Sequence, residues 1–109
     1  MKDKIYILRI IKYSEKIINY MEGVSSYEEF RINDEKVDAV ILNLKQIGET
    51  AKKVSNEAKE RYSKITWRRV IALRNIISHE YEGVKLDIIY EIVNIDIPEL
   101  LDVLKSFED

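Results

Sequence analysis

The amino-acid sequence predicts an all-α protein, a single up-and-down helical bundle of four to five helices. Turn-forming residues are scarce, with three glycines and one proline in 109 residues, whereas an all-β chain needs many more. Apolar residues make up 46% of the chain and recur at spacings of three and four, which is the helical period. A chain of this length suffices for one domain, which we expect to span residues 1–109.

The first helix is predicted for residues 2–22, with Gly23 as its stop. Two apolar stripes run along it and make a face wider than a solvent-exposed helix needs. One stripe could therefore face the domain core and the other a partner. The first stripe consists of Ile7, Ile11, Ser14, Ile18 and Met21, and the second of Tyr6, Ile10, Tyr13, Ile17 and Tyr20.

A connector with one short helical turn is expected at residues 24–33, where Ser26 can cap the turn. The second helix begins near Asn33 or Asp34, both good caps. Gly48 lies on its apolar face, although glycine costs about 1 kcal/mol relative to alanine within a helix. We therefore expect another helix to cross closely at Gly48. The rest of that face is formed by Val37, Val40, Ile41, Leu44, Ile47, Ala51 and Val54.

Residues 56–65 are polar and predict a loop or a fraying helix end. A third helix should run from about Thr66, which can cap it, to near His79. A fourth is predicted for residues 85–95, and Pro98 suits the first turn of a fifth. The cap of that fifth helix would be Asp96 or Ile97.

The composition limits the functions that the chain can have. Its net charge of −2 comes from 18 basic and 20 acidic residues, so any contact with nucleic acid must be local or supplied by an assembly. The absence of cysteine excludes disulfides, thiolate chemistry and cysteine-type zinc sites. The N-terminal stretch has charges among its apolar residues and resembles neither a signal peptide nor a membrane span. We expect a cytoplasmic protein with no membrane partner.

The stretch RNIISHEYEG, residues 74–83, contains the only histidine of the sequence, His79. Histidine is the side chain whose ordinary pKa lies nearest neutrality, which suits acid–base chemistry. A lone histidine at a helix end is also often a structural cap, because an imidazolium is stabilised by the helix dipole. On residue type alone the structural interpretation is favoured.

Arg74 shifts the balance, because it lies within the apolar run VIALRNII. A half-buried guanidinium needs an acceptor, either a carboxylate such as Glu80 or Glu91, or a phosphate that its planar fork binds bidentately. On an ideal helix Arg74 and His79 lie about 140° apart. The two can converge only if the helix loosens before His79 or if two subunits meet there.

Other chemistry is not expected. HEYEG begins like a zinc-protease helix, but Gly83 stands where the second histidine ligand is required. With one histidine and no cysteine, neither a transition-metal site nor a cofactor is expected. The three glycines are isolated, so no phosphate-binding glycine loop is present.

The pattern Arg-x4-His-x-Tyr at Arg74, His79 and Tyr81 matches the signature of HEPN domains, and the chain resembles the HepT-type HEPN toxins. The resemblance covers nearly the whole sequence. The segments that carry it are EEF at 28–30, IGE and TAKKVS at 47–55, TW at 66–67, RN at 74–75, HEY at 79–81 and IVNIDIPEL at 92–100.

The resemblance implies a small helical bundle that forms a homodimer and cleaves RNA without a metal. It further implies a minimal nucleotidyltransferase antitoxin, which neutralises the toxin by adding AMP to the tyrosine of the motif. By position, Arg74 and His79 would be catalytic, Asn75 a supporting polar residue and Tyr81 the modified tyrosine. A dimer would also bring two motifs together, which would answer the 140° separation. The departures from the family pattern, Thr50, Thr66 and Tyr90, lie outside the motif and affect packing at most.

An alternative is a non-catalytic module that binds nucleotide or serves as an adaptor for the nucleotidyltransferase. In that case Arg74 would hold a phosphate and His79 would be structural. A purely structural helical dimer is the third and least supported interpretation. Cleavage of RNA, as opposed to binding of mononucleotides without turnover, separates the first two.

Overall fold

Helices make up most of the chain, and the all-α prediction is confirmed. A computed structural model describes residues 2–79 and 85–106, and at residues 76–79 it describes the backbone alone. These residues contain no strand. The α-helices are α1 (Lys2–Met21), α2 (Tyr27–Arg31), α3 (Asp34–Lys53), α4 (Asn56–Arg61), α5 (Trp67–His79), α6 (Leu86–Glu91) and α7 (Ile97–Ser106), with a π-helical segment at Ile92–Asp96.

The two longest helices, α1 and α3, pack antiparallel at the centre. The backbone N–H and the hydroxyl of Ser55, just after α3, donate to the two carboxylate oxygens of Asp3 at 2.9 and 2.7 Å. At the opposite end, the ammonium group of Lys36 donates to the carbonyl of Tyr20. The start of α1 therefore lies beside the end of α3. Helix α5 packs against α3, and α7 packs against α1.

The wide apolar face of α1 is buried in the core. The buried residues of α1 come from both predicted stripes, and the tyrosines of the second stripe are partly buried against the same core. The stripe that could have faced a partner is therefore not a spare surface. The reason is that α1 packs against two helices at once, α3 and α7, and so buries a broad arc. The exposed apolar side chains of α1 are instead Ile5 and Leu8.

The connector between α1 and α3 agrees with its prediction. Ser26 caps α2, because its hydroxyl accepts a hydrogen bond from the backbone N–H of Glu29 at 3.2 Å. Phe30 of this short helix is fully buried, which fixes the connector to the core. Asn33 caps α3 in the same way, accepting from the N–H of Lys36 at 3.1 Å.

The prediction of a loop or frayed end is wrong for residues 56–61, which form helix α4, and agrees with residues 62–65, which form turns. The side chain of Ser55 caps α4 by accepting from the N–H of Ala58 at 3.1 Å. Tyr62 and Ile65, which follow α4, are both buried. A polar six-residue helix is marginal by itself, so these tertiary contacts, together with the Asp3–Ser55 hydrogen bonds, stabilise it.

The predicted fourth and fifth helices form one continuous rod. Neither Asp96 nor Ile97 is a cap, since the backbone of Ile97 is helical (φ −68°, ψ −45°) and its N–H donates to the carbonyl of Ile92, five residues back. Pro98 has no N–H to donate to the carbonyl of Asn94, and its ring crowds that carbonyl. A widened π-helical turn accommodates the proline without ending the helix.

Within residues 2–79 and 85–106, every helix falls short of the length or the apolarity that crossing a bilayer requires.

Candidate functional site

The motif arginine lies where α5 crosses α3. A Cβ atom added at Gly48 would stand 2.6 Å from the backbone nitrogen of Arg74, 3.0 Å from its Cβ and 3.2 Å from its Cα. Because Cβ atoms essentially never approach another heavy atom within 3.0 Å, only glycine permits this contact. The expected close crossing at Gly48 is confirmed, and the residue that crosses there is Arg74.

The guanidinium of Arg74 is held by a carboxylate from α3. Its Nε lies 2.8 Å from Oε2 of Glu49, and the two side chains are 37% and 41% exposed. Glu49 is the residue after Gly48, so the position that allows the close crossing also brings the carboxylate within reach. The sequence predicts a carboxylate such as Glu80 or Glu91 as the partner, and no local pattern points to Glu49. Glu80 lies outside the described residues.

The other predicted site residues are placed to different extents. Asn75 is exposed, and its Oδ1 lies 3.5 Å from Nη1 of Arg74, at the outer limit of a hydrogen bond. For His79 the structure describes the backbone alone, as the last described residue of α5. Tyr81 lies outside the described residues. The roles of all four motif residues stay predictions.

The backbone of α5 bears on how Arg74 and His79 could meet. The helix is continuous from Trp67 to His79, so it does not loosen before the histidine. The Cα positions of Arg74 and His79 therefore keep their separation of about 140° around the axis. Of the two routes to convergence, the loosening of the helix is not seen, and the meeting of two subunits stays a prediction.

The basic residues are concentrated at one end of the bundle. Residues 52–69 carry seven basic and two acidic side chains, a formal charge of +5. The other 11 basic and 18 acidic residues give −7, so the total of −2 conceals the separation. The chain trace places this segment at the end where α3 stops and α5 begins. Six of the seven basic side chains are exposed: Lys52, Lys53, Arg61, Lys64, Arg68 and Arg69.

This basic end lies close to Arg74. The last basic residue of the segment, Arg69, is five residues before Arg74 on the same helix, which is about 8 Å along the axis. The sequence prediction missed the segment because it considered only the total charge, whereas a count over a moving window reveals it. Of the described parts of the chain, this end is the one suited to a polyanion.

A groove of about 490 Å³ lies between α5 and the α6–α7 rod. Its apolar side chains include Val70, Leu73 and Leu100, and the charged pair Arg69–Asp96 stands on its wall with Nη2 and Oδ2 3.5 Å apart. Arg74 is not one of its lining residues. The groove and the Arg74 site are therefore two separate features of α5.

Potential metal ligands do not cluster in the described part of the chain. Among the side chains of residues 2–75 and 85–106, no three carboxylates come close enough to hold one ion. Acidic side chains there are used in other ways, as in the pairing of Glu49 with Arg74.

The comparison with known families turns on the same residues. The sequence model of the family described as "Ribonuclease HepT-like" matches residues 10–107, which include the whole Arg-x4-His-x-Tyr motif. The chain belongs to the HepT-like ribonuclease family. The resemblance to HepT-type HEPN proteins is thereby confirmed.

Curated relatives agree with the family assignment. The chain is 34% identical over 101 residues to "Putative RNase TTE0752" of Caldanaerobacter subterraneus, covering 93% of this chain and 89% of the relative. It is 32% identical over 105 residues to "Putative RNase MJ1216" of Methanocaldococcus jannaschii, covering 96% and 84%. It is 34% identical over 74 residues to "Probable ribonuclease HepT" of Thermococcus cleftensis, covering 68% and 67%. No solved structure matches the chain.

Proposed function

We propose that the chain is a metal-independent endoribonuclease in which Arg74 and His79 cleave RNA at a site formed by two subunits. Membership of the HepT-like ribonuclease family over residues 10–107 carries this proposal. The geometry of Arg74 supports it, since a guanidinium fixed at a helix crossing and half exposed to solvent suits a phosphate group.

The reaction needs only groups that the RNA and the motif supply. The 2′-hydroxyl of a ribose attacks the adjacent phosphorus, the P–O5′ bond breaks, and a 2′,3′-cyclic phosphate and a 5′-hydroxyl are left. The imidazole of one His79 accepts the proton of the 2′-hydroxyl and then, as an imidazolium, donates a proton to the leaving 5′ oxygen. Arg74 stabilises the negative charge that builds up on the phosphoryl oxygens.

The course of α5 supports the dimer in this proposal. Since the helix is continuous through His79, the Cα positions of Arg74 and His79 in one subunit lie about 140° apart around its axis. A two-fold axis beside α5 would place the arginine of one subunit near the histidine of the other. The +5 end at residues 52–69 would then supply the phosphate-binding surface along which the RNA approaches.

The first test is cleavage of a labelled RNA by the purified chain in the presence of EDTA. His79→Ala should lower the rate by about 10²- to 10⁴-fold, and Arg74→Ala by about 10²- to 10³-fold. Arg9→Ala, which removes an exposed arginine from α1, is the matched control and should cleave like the wild type. If the wild-type chain leaves RNA intact, or if both motif variants cleave at its rate, the proposal is wrong.

A second test addresses the shared site. When Arg74→Ala and His79→Ala subunits are mixed and allowed to exchange, half of the dimers are mixed, and each mixed dimer contains one intact pair. The mixture should recover up to about a quarter of the wild-type activity if each site uses residues of both subunits. If the two residues act within one subunit, mixing restores nothing.

The biological role that we propose is that of a cytoplasmic toxin paired with a nucleotidyltransferase antitoxin that adds AMP to Tyr81. The added phosphate would place a bulky anion beside the motif and exclude RNA. Expression of the wild-type chain should arrest growth, and His79→Ala should relieve the arrest. With the antitoxin present, Tyr81→Phe should remain toxic, and its mass should lack the AMP increment seen on the wild type.

The non-catalytic module remains the competing function, and one measurement separates the two. Calorimetry with mononucleotides would show tight binding that Arg74→Ala abolishes, while the same preparation fails to cleave RNA. That combination would favour a nucleotide-binding or adaptor role over the ribonuclease.

A further inference from the structure

The course of α3 places Glu49 next to the motif arginine, Arg74. Gly48 lets the backbone of α5 approach α3 so closely that a Cβ there would stand 2.6 Å from the nitrogen of Arg74. The next residue along α3 then places its carboxylate 2.8 Å from Nε of the same arginine. One helix turn thus supplies both the backbone contact and the side-chain contact to Arg74.

The ion pair is poorly suited to a purely stabilising role. Both side chains are more than a third exposed, and exposed pairs contribute little to folding because water screens them. Its geometric effect is larger, because a carboxylate bound at Nε restricts the rotation of a long, flexible side chain. An arginine held through Nε directs the edge formed by its two terminal nitrogens away from the carboxylate, and that edge matches two phosphate oxygens.

We propose that Glu49 is a positioning residue for Arg74 in the cleavage of RNA. This inference rests on the proposed ribonuclease function and deepens it. Glu49 does not touch the RNA; it holds the guanidinium in the orientation that the charged transition state requires. Misplacing a catalytic group by about 1 Å can cost on the order of 10²-fold in rate. Removal of Glu49 should therefore lower kcat.

A different kinetic result is expected if Glu49 has the opposite role, that of a competitor for Arg74. A carboxylate beside Arg74 could instead compete with the RNA phosphate for the guanidinium. Removing a competitor would tighten binding, so KM would fall and kcat/KM would rise. Removing a positioning residue leaves KM nearly unchanged and lowers kcat, because the contact with Arg74 is needed most in the transition state.

The experiment measures kcat and KM of RNA cleavage for Glu49→Ala, Glu49→Gln and Glu49→Asp. We expect kcat to fall by about 10- to 100-fold for Glu49→Ala, less for Glu49→Gln, and to recover partly in Glu49→Asp, with KM changed by less than about threefold. Glu35→Gln removes the same charge from an exposed site near the start of α3 and should behave like the wild type. Circular dichroism confirms that each variant is folded.

Action through Arg74 is tested in the Arg74→Ala background. If Glu49 works only by holding the arginine, adding Glu49→Gln to Arg74→Ala leaves the residual rate unchanged, a non-additive result. An independent readout is the ¹⁵Nε–H signal of Arg74 in the free protein, which should move and exchange faster with water in Glu49→Gln.

The outcomes separate this inference from the proposed function. A wild-type chain that cleaves RNA, with Glu49 variants of equal kcat, overturns the positioning role alone, and so does a fall in KM or an additive effect with Arg74→Ala. A wild-type chain that does not cleave RNA overturns the ribonuclease itself and the role of Glu49 with it.

Discussion

Replacing Gly48 with alanine tests how closely α3 and α5 approach each other at this residue. The added Cβ would meet three atoms of Arg74, the nearest at 2.6 Å, and two of these belong to the backbone of α5. Backbone atoms in the middle of a packed helix cannot rotate away as a side-chain tip can. The two helices would have to separate by several tenths of an ångström.

The expected magnitude combines two opposing effects. Alanine favours the helix by about 1 kcal/mol relative to glycine. Overpacking in a well-packed contact costs about 1–3 kcal/mol, and the backbone obstruction places this site in the upper half of that range. We therefore expect Gly48→Ala to lower the free energy of unfolding by about 1–2 kcal/mol, after the propensity gain is counted. For a chain of this size, each 1 kcal/mol corresponds to a fall in Tm of roughly 4 °C.

The assay is urea unfolding followed by circular dichroism at a fixed protein concentration, which matters because a dimer would be stabilised by mass action. Gly23→Ala is the matched control, since Gly23 has a left-handed backbone (φ +84°) with nothing within 4 Å of an added Cβ. It should also destabilise the protein, by about 1–2 kcal/mol, but for a conformational reason. Only Gly48→Ala should also impair RNA cleavage, because it moves Arg74. If Gly48→Ala is as stable as the wild type or more stable, the close-crossing argument is refuted.

Three further predictions concern the rest of the molecule. Arg61→Glu, in the basic end, should weaken RNA binding and reduce the steepness of log K for RNA binding against log salt concentration by about 0.7 or more. Lys16→Glu on α1 should change neither. Binding titrations at several salt concentrations measure both quantities. Hydrogen bonds from the backbone N–H and then the hydroxyl of Ser55 lower the pKa of Asp3, so their contribution to stability is complete above the ordinary pKa of the carboxyl and is lost as the pH falls through its lowered pKa. The wild type should therefore melt at a higher Tm than Asp3→Asn, and this difference in Tm should shrink below about pH 4. A difference in Tm that does not change with pH would show that the contact is absent. Trp67→Phe removes a buried hydrogen bond from Nε1 to a backbone carbonyl (3.2 Å) and should cost about 1–3 kcal/mol in urea unfolding without a change in m; an unchanged midpoint would contradict this.

Much of the helical architecture can be predicted from local patterns. The span of α1, the cap of α2 by Ser26, the cap of α3 by Asn33 and the close crossing at Gly48 are all confirmed. Each depends on residues near one another in the sequence, either on a side chain that caps the backbone a few positions later or on the apolar period of one helix. Such signals do not require knowledge of what packs where.

The errors occur where distant parts of the chain meet. The polar segment 56–61 has too few apolar residues to predict a helix, yet α4 forms. Its cap, Ser55, is bound by Asp3, more than fifty residues away, and this tertiary contact helps to stabilise it. At Pro98 the local signal favours the start of a new helix, yet a π-helical turn accommodates the proline within one continuous rod. The prediction that one stripe of α1 faces a partner is wrong, because the sequence of α1 does not reveal that two helices, α3 and α7, pack against it.

The sequence by itself determined the helical class, the motif formed by Arg74, His79 and Tyr81, and through that motif the family, since these depend on residue identity and short-range spacing. Only the tertiary structure decided what Arg74 meets. Its partner Glu49 lies 25 residues earlier, and no periodicity links the two positions. They come together because Gly48 has no side chain to keep α5 away from α3, a contact between two helices that neither helix encodes alone.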